Sequence, residues 1–548
     1  MKRIINVFML CLLACSVWAV PARRGGIVQT QPDGSQITVY QHGDEHFHWA
    51  TNEKGEWLMQ DVNGFYHVTE ALTAKQIEAR RMQSKKRIAL AAYPLNVAPR
   101  GLIIIVNFKD LAFETSKAEM DSMLTGKNYT RNYSYTYNKK TYKVNSQGSA
   151  CQYFQEASFG HYNPQFDVVG PVTISKDMSY YGKNDTYGND MYPDKMVSEA
   201  CKLADTEYDV DFTQYDNDKD GYVDFVYVIY AGFGEADGGA ANTIWPHSWN
   251  LLSAGTQCKV DGKTVDLYAC GNELDNYTKH HTGIGTFCHE FSHVLGLPDL
   301  YETDPSNMHY KKTLGSWDVM DYGPYNNDGN TPPTFSAYER FFMGWSKPEL
   351  IIDTANITLE DIKESNRALL ISSSDEHNLI GNDPKPTTFY LLENRQQNGW
   401  DEYLPGHGLM ITKIQYNYNK WFENTVNNRA TSMGIDLIEA DGKTPTYNQN
   451  GYDGKATDLF PTGATEYTKI ADHPIEDIKE IDGVIYFKYK GGVEVEDPET
   501  AVEDITSTIE VIAIYNILGQ RQMTTDVESL PHGTYVVVTS AGNHKIVR

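Results

Sequence analysis

The sequence predicts an α+β protein in which a domain of mixed helices and strands is flanked by all-β domains. Apolar runs at 101–108 and 222–230 are typical of strands buried on both faces, and 282–295 has the length and spacing of a helix. From 20 to 95, and again from 351 to 491, short alternating segments are separated by Gly and Pro turns. That pattern favours β structure on either side of the central domain.

Length and charge limit the number of domains and the kinds of partner that the protein can have. The chain has 548 residues and a net charge of −26, from 47 basic and 73 acidic side chains. A chain of this length exceeds one hydrophobic core, so we expect three or four domains, in a monomer. The acidic surface argues against nucleic acid as a partner, because phosphate binding needs a basic face. It suits a secreted protein and the binding of cations.

The N-terminus has the pattern of a targeting segment. Lys2 and Arg3 precede an apolar run, and Val17-Trp18-Ala19 offers a small-residue cleavage site, so residues 1–19 are predicted to be a signal peptide. No later run approaches the roughly 20 apolar residues of a membrane span. The segment ending at Cys15 is also a loose lipoprotein box, which leaves anchoring through Cys15 as the alternative to ordinary export.

The most informative segment runs from His289 to Asp299 and has the spacing of a zinc hydrolase site. Residues four apart share a helix face, so His289 and His293 can bind one ion. Glu290 stands where a carboxylate can take a proton from zinc-bound water. Gly296 permits a sharp exit from the helix, and Asp299 follows at the place of the third ligand in extended zincins. The alternative is an ordinary amphipathic helix that contains two histidines.

A second motif follows at 315–323. Met320 is similar to the methionine of the turn that lies beneath the zinc in metzincins. Tyr322, two residues later, is a candidate catalytic residue that would hydrogen-bond the tetrahedral intermediate. A lone methionine is more often core filling. Glu339, in a later helix, is the alternative to Asp299 as the third zinc ligand.

A calcium site is predicted at 216–224, where alternate acidic residues and a glycine reproduce the first half of an EF-hand loop. The twelfth position is Tyr227 and not Glu, so the loop is not a complete EF-hand. The alternative is an acidic turn, in which the carboxylates would repel one another. The predicted ligands are the carboxylates of Asp216, Asp218, Asp220 and Asp224 and the carbonyl of Tyr222.

Removal of the leader would leave five cysteines. Cys258 and Cys270 flank a hairpin pattern with an Asp-Gly turn and are candidates for cross-strand pairing. The odd count leaves at least one free thiol. Cys288, beside a predicted zinc ligand, is expected to be a small buried residue.

Residues 20–95 occupy the place of a propeptide, between the leader and the metal-site domain. A basic stretch from Arg80 to Arg87 would be an exposed cleavage site for trypsin-like enzymes. The alternative is a solvated helix that joins two domains. No cysteine lies in this segment, which excludes a thiolate-on-zinc latency switch.

Roughly residues 95–490 resemble the secreted immune inhibitor A-type zinc metalloproteases of bacteria. The resemblance implies a metzincin-like catalytic domain with His289, His293 and Asp299 as zinc ligands and Glu290 as general base. It is carried by these segments: Tyr153–Gly160, the acidic loop with 222–230, Ala231–Glu235, Ile244–His247, His289–Tyr301, Gly315–Met320, Tyr390–Arg395, Leu404–Leu409, Ala440–Gly442 and Asp458–Pro461.

The C-terminal module, with strand-like segments at 514–521 and 530–538, resembles the sorting domain of type IX secretion cargo in Bacteroidota. That resemblance implies the type IX machinery as a partner and transport across the outer membrane. The alternative is a small β-sandwich that binds surfaces or glycans.

Together these patterns predict a secreted or cell-surface zinc endopeptidase, made as a zymogen, that hydrolyses protein or peptide substrates with a Glu-activated zinc-bound water and carries a structural calcium. The alternative is a non-catalytic surface adhesin or host-protein binder on a protease scaffold, against which the intact Glu290 argues. The predicted boundaries are signal peptide 1–19, propeptide 20–95, catalytic domain 96–350, β domain 351–491, linker 492–502 and sorting domain 503–548.

Overall fold

The computed structural model describes residues 20–44, 47–61, 64–73, 76–77, 99–185, 188–303, 313–372, 374, 377–429, 431–443, 453–493, 511–516, 521–522, 524–530, 534–539 and 542–547. The chain divides into two compact units, one ending at Lys490 and the other beginning at Gly491. The predicted signal peptide, the basic stretch and most of the predicted linker lie outside the described residues. Within the described ranges, no helix combines the length and apolar character needed to cross a bilayer.

The first unit opens with an antiparallel meander in the order β1-β2-β3-β4-β5, as the sequence predicted. Gly34 and Gly64 lie between its strands with φ of 83° and 86°, a conformation that favours glycine. The strands are β1 Gly26–Thr30, β2 Gln36–Asp44, β3 Phe47–Thr51, β4 Trp57–Gln60 and β5 Tyr66–Val68.

The central sheet has the order β12-β15-β11-β6-β9, in which β12 alone runs antiparallel to its neighbour. Strand β6 (Arg100–Asn107) shows why an apolar run predicts a buried strand. Ile103 and Ile105 pack into the core on one face, whereas Ile104 and Val106 pack into the core on the other. Because successive side chains point to opposite faces, a strand covered on both sides must be apolar throughout.

The remaining elements of this region complete the layers around the central sheet and form two small side sheets, β10-β14-β13 and β7-β8. The strands are β7 Asn132–Tyr137, β8 Lys140–Asn145, β9 Gln165–Thr173, β10 Tyr222–Val223, β11 Val226–Phe233, β12 His247–Asn250, β13 Cys258–Val260, β14 Lys263–Val265 and β15 Leu267–Leu274. The helices are α1 Lys117–Thr125, α2 Ala150–Ala157, α3 Met178–Gly182, α4 Pro193–Tyr208, α5 Gly285–Val294 and α6 Ala337–Phe342.

Cys258 and Cys270 are not cross-strand partners, so that prediction is wrong. The hairpin between β13 and β14 exists, with Asp261 and Gly262 at φ of 49° and 75°. Cys258, however, faces Val265 across this hairpin, whereas Cys270 lies on β15 of the central sheet. The five cysteines from Cys151 to Cys288 are free, and Cys288 is buried as expected.

The strands predicted for 351–491 form two sheets, β16-β18-β19-β20-β21 and β17-β23-β22. Leu370, Leu391 and Met410 from this region share one hydrophobic core with Phe291 of α5. The β region therefore shares a core with the helix that carries the zinc motif. Its elements are β16 Glu349–Leu350, β17 Ala355–Leu359, α7 Ile362–Ser365, β18 Leu369–Ile371, β19 Thr388–Arg395, β20 Gly408–Gln415, α8 Tyr418–Phe422, β21 Ile435–Leu437, β22 Ile475–Ile481 and β23 Val484–Tyr489.

The second unit contains an antiparallel sheet in the order β24-β25-β26. Its small core includes Ile514, Leu530, Tyr535 and Val537. The strands are β24 Val511–Asn516, β25 Thr534–Thr539 and β26 Gly542–Val547.

Candidate metal centre

Helix α5 presents the zinc motif on a buried face. His289 and His293 are four residues apart and are 0% and 1% exposed. The helix ends where predicted, because Gly296 has a φ of 98° and its N–H donates to the carbonyl of His293 at 2.9 Å. Glycine adopts that conformation without strain. The chain is thereby turned so that Asp299 comes back toward the two histidines.

The three predicted zinc ligands converge. The Nε2 atoms of His289 and His293 lie 3.0 Å apart. Asp299 Oδ1 is 3.2 Å from Nε2 of His289 and 3.3 Å from Nε2 of His293. Two imidazole nitrogens and a carboxylate oxygen are donors that zinc prefers.

The surroundings of the histidines indicate that the cluster needs a cation. His289 Nδ1 lies 2.8 Å from the carbonyl of Val319, and His293 Nδ1 lies 2.8 Å from the carbonyl of Leu297. A ring nitrogen that faces a carbonyl carries the proton, so in the neutral tautomer each Nε2 is a bare lone pair. Two lone pairs and a carboxylate at this separation repel one another unless a positive ion lies between them. The residues therefore fit a zinc ion.

Asp299 is held by a residue from the β region. The side chain of Asn424 donates to Asp299 Oδ2, and its own oxygen accepts the backbone N–H of Asp299 at 2.7 Å. Asn428 accepts the N–H of Thr303 at 2.8 Å, so the chain beyond the ligand is fastened at a second point. Sequence reasoning missed Asn424, because it lies 125 residues from its partner and no motif surrounds it.

Glu290 lies on the same helix with its carboxylate fully buried. Its Oε1 accepts the backbone N–H of Val20 at 2.8 Å, and its Oε2 has no hydrogen-bond partner among the described residues. Burial raises the pKa of Glu290 well above its usual range. The carboxylate thus faces the chain just beyond the predicted signal peptide, a contact that no local pattern in the sequence signalled.

The segment that follows Val20 is bound along this cleft. Trp245 Nε1 donates to the Val20 carbonyl at 3.1 Å, and the Tyr325 hydroxyl donates to the Pro21 carbonyl at 2.7 Å. The N–H of Arg23 donates to the Ala236 carbonyl at 2.8 Å. Val20 is only 1% exposed. The N-terminal segment therefore covers the face of Glu290 that a peptide would have to reach.

The turn at Met320 contacts the segment that carries Asp299. Met320 is buried, and its carbonyl accepts the N–H of Leu300 at 2.8 Å, next to the ligand Asp299. Tyr322 lies under the guanidinium of Arg24, 3.3 Å from Cζ to the ring centre. Glu339 is placed elsewhere: it forms a capping box with Ser336 at the start of α6. The cluster of potential metal ligands therefore contains Asp299 and not Glu339.

The acidic loop brings together carboxylate oxygens of Asp216, Asp218 and Asp220. Asp224 is turned away: its Oδ2 accepts the backbone and side-chain N–H groups of Asn217, both at 2.6 Å, and burial raises its pKa to about 6. The ammonium of Lys263 lies 2.5 Å from Asp216 Oδ2 and supplies a positive charge beside the cluster. Tyr222 is exposed at the end of the loop.

Known proteins are similar to the domain that contains the candidate metal centre. Residues 97–347 match the family model of the immune inhibitor A peptidase M6 catalytic domain. Over 244 residues the chain is 29% identical to immune inhibitor A of Bacillus thuringiensis subsp. alesti, covering 40% of this chain and 34% of that protein. Over 254 residues it is 26% identical to the pre-pro-metalloprotease PrtV of Vibrio cholerae serotype O1, covering 42% and 27%.

The matched stretch spans about a third or less of each of these relatives. The stretch that matches the family model includes α5, Asp299 and the turn at Met320, and it ends before Asn424. Residues 97–347 are thus similar to the catalytic domain of immune inhibitor A peptidases of family M6.

Proposed function

We propose that this protein is a zinc-dependent endopeptidase that hydrolyses protein substrates. The observation that carries the proposal is the convergence of His289, His293 and Asp299 within 3.3 Å, in a domain that matches a metallopeptidase family. When bound there, zinc supplies Lewis acidity, which polarises the scissile carbonyl and acidifies a water molecule.

Glu290 takes the role of general base and acid in this proposal. It is buried next to the first ligand, so its carboxylate can accept the proton of the attacking water and then protonate the leaving amine. The contact with Val20 supports this role, because a backbone nitrogen lies 2.8 Å from Oε1, where the nitrogen of a cleaved bond would be.

The N-terminal segment makes the full chain a zymogen in this proposal. Val20, Pro21 and Arg23 bind the walls of the cleft through main-chain hydrogen bonds, as a peptide would. The segment must leave before a substrate can reach Glu290. Cleavage in the predicted basic stretch, Arg80 to Arg87, would separate the meander from the catalytic domain and permit that release.

Two further roles belong to the proposal. The acidic loop at 216–220 would bind a structural calcium ion, supported by three converging carboxylates. The second unit would direct secretion through the type IX machinery, so that the protein acts outside the cell or at its surface. Deletion of the chain after Gly492 should then trap the protein in the periplasm of its host with its specific activity intact after activation.

The test of the enzymatic proposal is the substitution Glu290→Gln in the full chain, followed by limited trypsin treatment and an assay on casein. The amide keeps the shape of the carboxylate but cannot accept a proton, so activity should fall by about 10²–10⁴-fold. Zinc content, measured by elemental mass spectrometry, should stay at that of the wild type. A variant that kept more than about a tenth of the activity would exclude Glu290 as the base, since acid–base catalysis contributes far more than that.

A further inference from the structure

Beside the metal centre lies a pocket for a guanidinium group, which the chain fills with its own Arg23. The two Nη atoms of Arg23 bind two different carboxylates, Asp275 and Asp328, the second at 2.5 Å. The guanidinium lies over the ring of Tyr277, 4.1 Å from its centre, and within 5.9 Å of the Tyr325 ring. Arg23 is only 9% exposed. Such a planar, forked and stacked arrangement suits arginine better than lysine.

The two carboxylates of the pocket are positioned by residues of the catalytic domain. Asp275 Oδ1 accepts the backbone N–H groups of Tyr277 and Thr278 at 2.9 and 2.8 Å. Asp328 Oδ2 accepts the hydroxyl of Tyr135 at 2.8 Å. Each carboxylate therefore keeps one oxygen fixed by the domain and presents the other to the guanidinium. Pre-positioned acceptors of this kind bind a charged donor strongly, because little ordering remains to be done.

A third carboxyl group, that of Asp237, lies beside these two. Asp237 is 6% exposed, and its Oδ1 has no hydrogen-bond partner among the described residues. Burial raises the pKa of Asp237 to about 8. Asp237 lines the same cavity as Asp275, Asp328 and Val20, the residue whose nitrogen lies on Glu290.

The position of the pocket along a bound peptide follows from Val20. Its nitrogen lies on Glu290, where the leaving nitrogen of a cleaved bond receives its proton. Val20 therefore occupies the place of the first residue after that bond, and Arg23 occupies the place of the fourth. Arg24, the next residue, also lies over a tyrosine ring, that of Tyr322, but it pairs with one carboxylate, Asp453, whose side chain is 63% exposed.

We propose that Asp275, Asp328 and Tyr277 form a substrate subsite that binds an arginine side chain at the fourth residue on the C-terminal side of the cleaved bond. The subsite rests on the proposed endopeptidase function, since it defines which substrates that site prefers. In the full chain the subsite holds Arg23, and after release of the N-terminal segment it takes the arginine of a protein substrate.

The first experiment tests the pocket without catalysis, in the full chain. The substitution Arg23→Ala should lower the melting temperature, and millimolar ethylguanidinium should restore it in a saturable way. Propylammonium should restore less, because it has no planar fork. The triple variant Arg23→Ala, Asp275→Asn, Asp328→Asn should not respond to ethylguanidinium, and Arg24→Ala should respond much less than Arg23→Ala. An equal response of all three variants, or none, would overturn the pocket.

The second experiment measures specificity and does not require that Arg23→Ala fold. The wild-type full chain is activated with trypsin, the trypsin is inhibited, and two peptides are compared that differ only in Arg or Ala at the fourth residue after the cleaved bond. Identically treated Glu290→Gln protein corrects for residual trypsin. The Arg peptide should have a kcat/KM at least about tenfold higher, since a buried ionic acceptor left empty is costly. The ratio should fall toward one in the Asp275→Asn, Asp328→Asn variant.

The two experiments separate the two proposals. Cleavage of both peptides with a ratio near one would overturn the arginine subsite and leave the endopeptidase intact. Ethylguanidinium rescue without cleavage of either peptide would overturn the endopeptidase and, with it, the substrate role of the pocket, which would then be a clamp for Arg23 alone.

Discussion

Two clusters of potential metal ligands in this protein are assembled in opposite ways. In the metal centre, His289, His293 and Asp299 are fully buried, and their orientation depends on Val319 and Asn424, which are distant in sequence. In the acidic loop, Asp218 and Asp220 are exposed, and these carboxylates are fixed by backbone N–H groups two residues further along the loop.

The two sites should therefore be sensitive to substitutions in different parts of the protein. A loop that satisfies its own carboxylates tolerates changes elsewhere in the protein, whereas a buried cluster loses its geometry when a remote supporting residue is removed. The loop also has a counter-charge, Lys263 of β14, whereas the residues of the buried cluster contact two neutral carbonyls and an asparagine amide. We therefore expect function to depend on the first site and stability on the second.

The largest expected effect comes from removing the metals one at a time from activated protein. A zinc-selective chelator should reduce casein hydrolysis by more than about 10²-fold, the lower end of what acid–base catalysis alone contributes, and added zinc should restore it. A calcium-selective chelator should leave specific activity unchanged and lower the melting temperature by about 5–10 °C, for an ion held near a hundredfold above its dissociation constant. Loss of activity with the calcium chelator would contradict the expectation that the acidic loop affects stability and not catalysis.

The next effect concerns the support of Asp299 from the β region. Asn424→Ala removes the donor to Asp299 Oδ2 and the acceptor for its backbone N–H. Zinc affinity, measured by competition with a chromogenic chelator, should fall about 10–100-fold, as is usual when a residue that orients a ligand is lost. Asn428→Ala is the matched control, because that side chain contacts Thr303 and not Asp299. Equal zinc affinity in the two variants would show that Asp299 needs no remote support.

A smaller effect is expected in the loop. Asp218→Ala combined with Asp220→Ala should abolish the calcium-dependent rise in melting temperature, because a ligand that binds only the folded state stabilises it. Lys219→Ala, in the same loop but without a carboxylate, is the control. The zinc content and the peptidase activity at 25 °C should stay at wild-type values. A calcium response that persists in the double variant would remove the loop as the calcium site.

The smallest expected effect is that of Lys263 on calcium affinity. Its ammonium lies 2.5 Å from Asp216 Oδ2 and so competes with a calcium ion for the charge of that carboxylate. Lys263→Met should therefore raise calcium affinity, by less than about tenfold for a partly exposed ion pair, as measured by titration calorimetry. An unchanged affinity would mean that the ammonium and the ion use different oxygens of Asp216.

Part of the candidate metal centre could be predicted from the sequence because it is local. The spacing of His289 and His293 follows from the pitch of one helix, and the exit at Gly296 needs only one residue with positive φ. Strand β6 could be predicted as buried from its apolar composition. The prediction for Cys258 and Cys270 failed for the complementary reason. The Asp-Gly turn predicted the hairpin between β13 and β14. The strand that contains Cys270, β15, belongs to a different sheet, and no local pattern shows which strands share a sheet.

By itself, then, the sequence determined the zinc motif, the acidic loop, the meander and the strand-rich region beyond 351, since each depends on periodicity or turn chemistry within a few residues. The tertiary structure alone decided that Asn424 holds Asp299, that Val20 lies on Glu290 and that Arg23 lies between Asp275 and Asp328. These contacts join residues 125 to 305 positions apart. No local pattern records such contacts, because they exist only once the N-terminal segment, the central sheet and the β region have packed together.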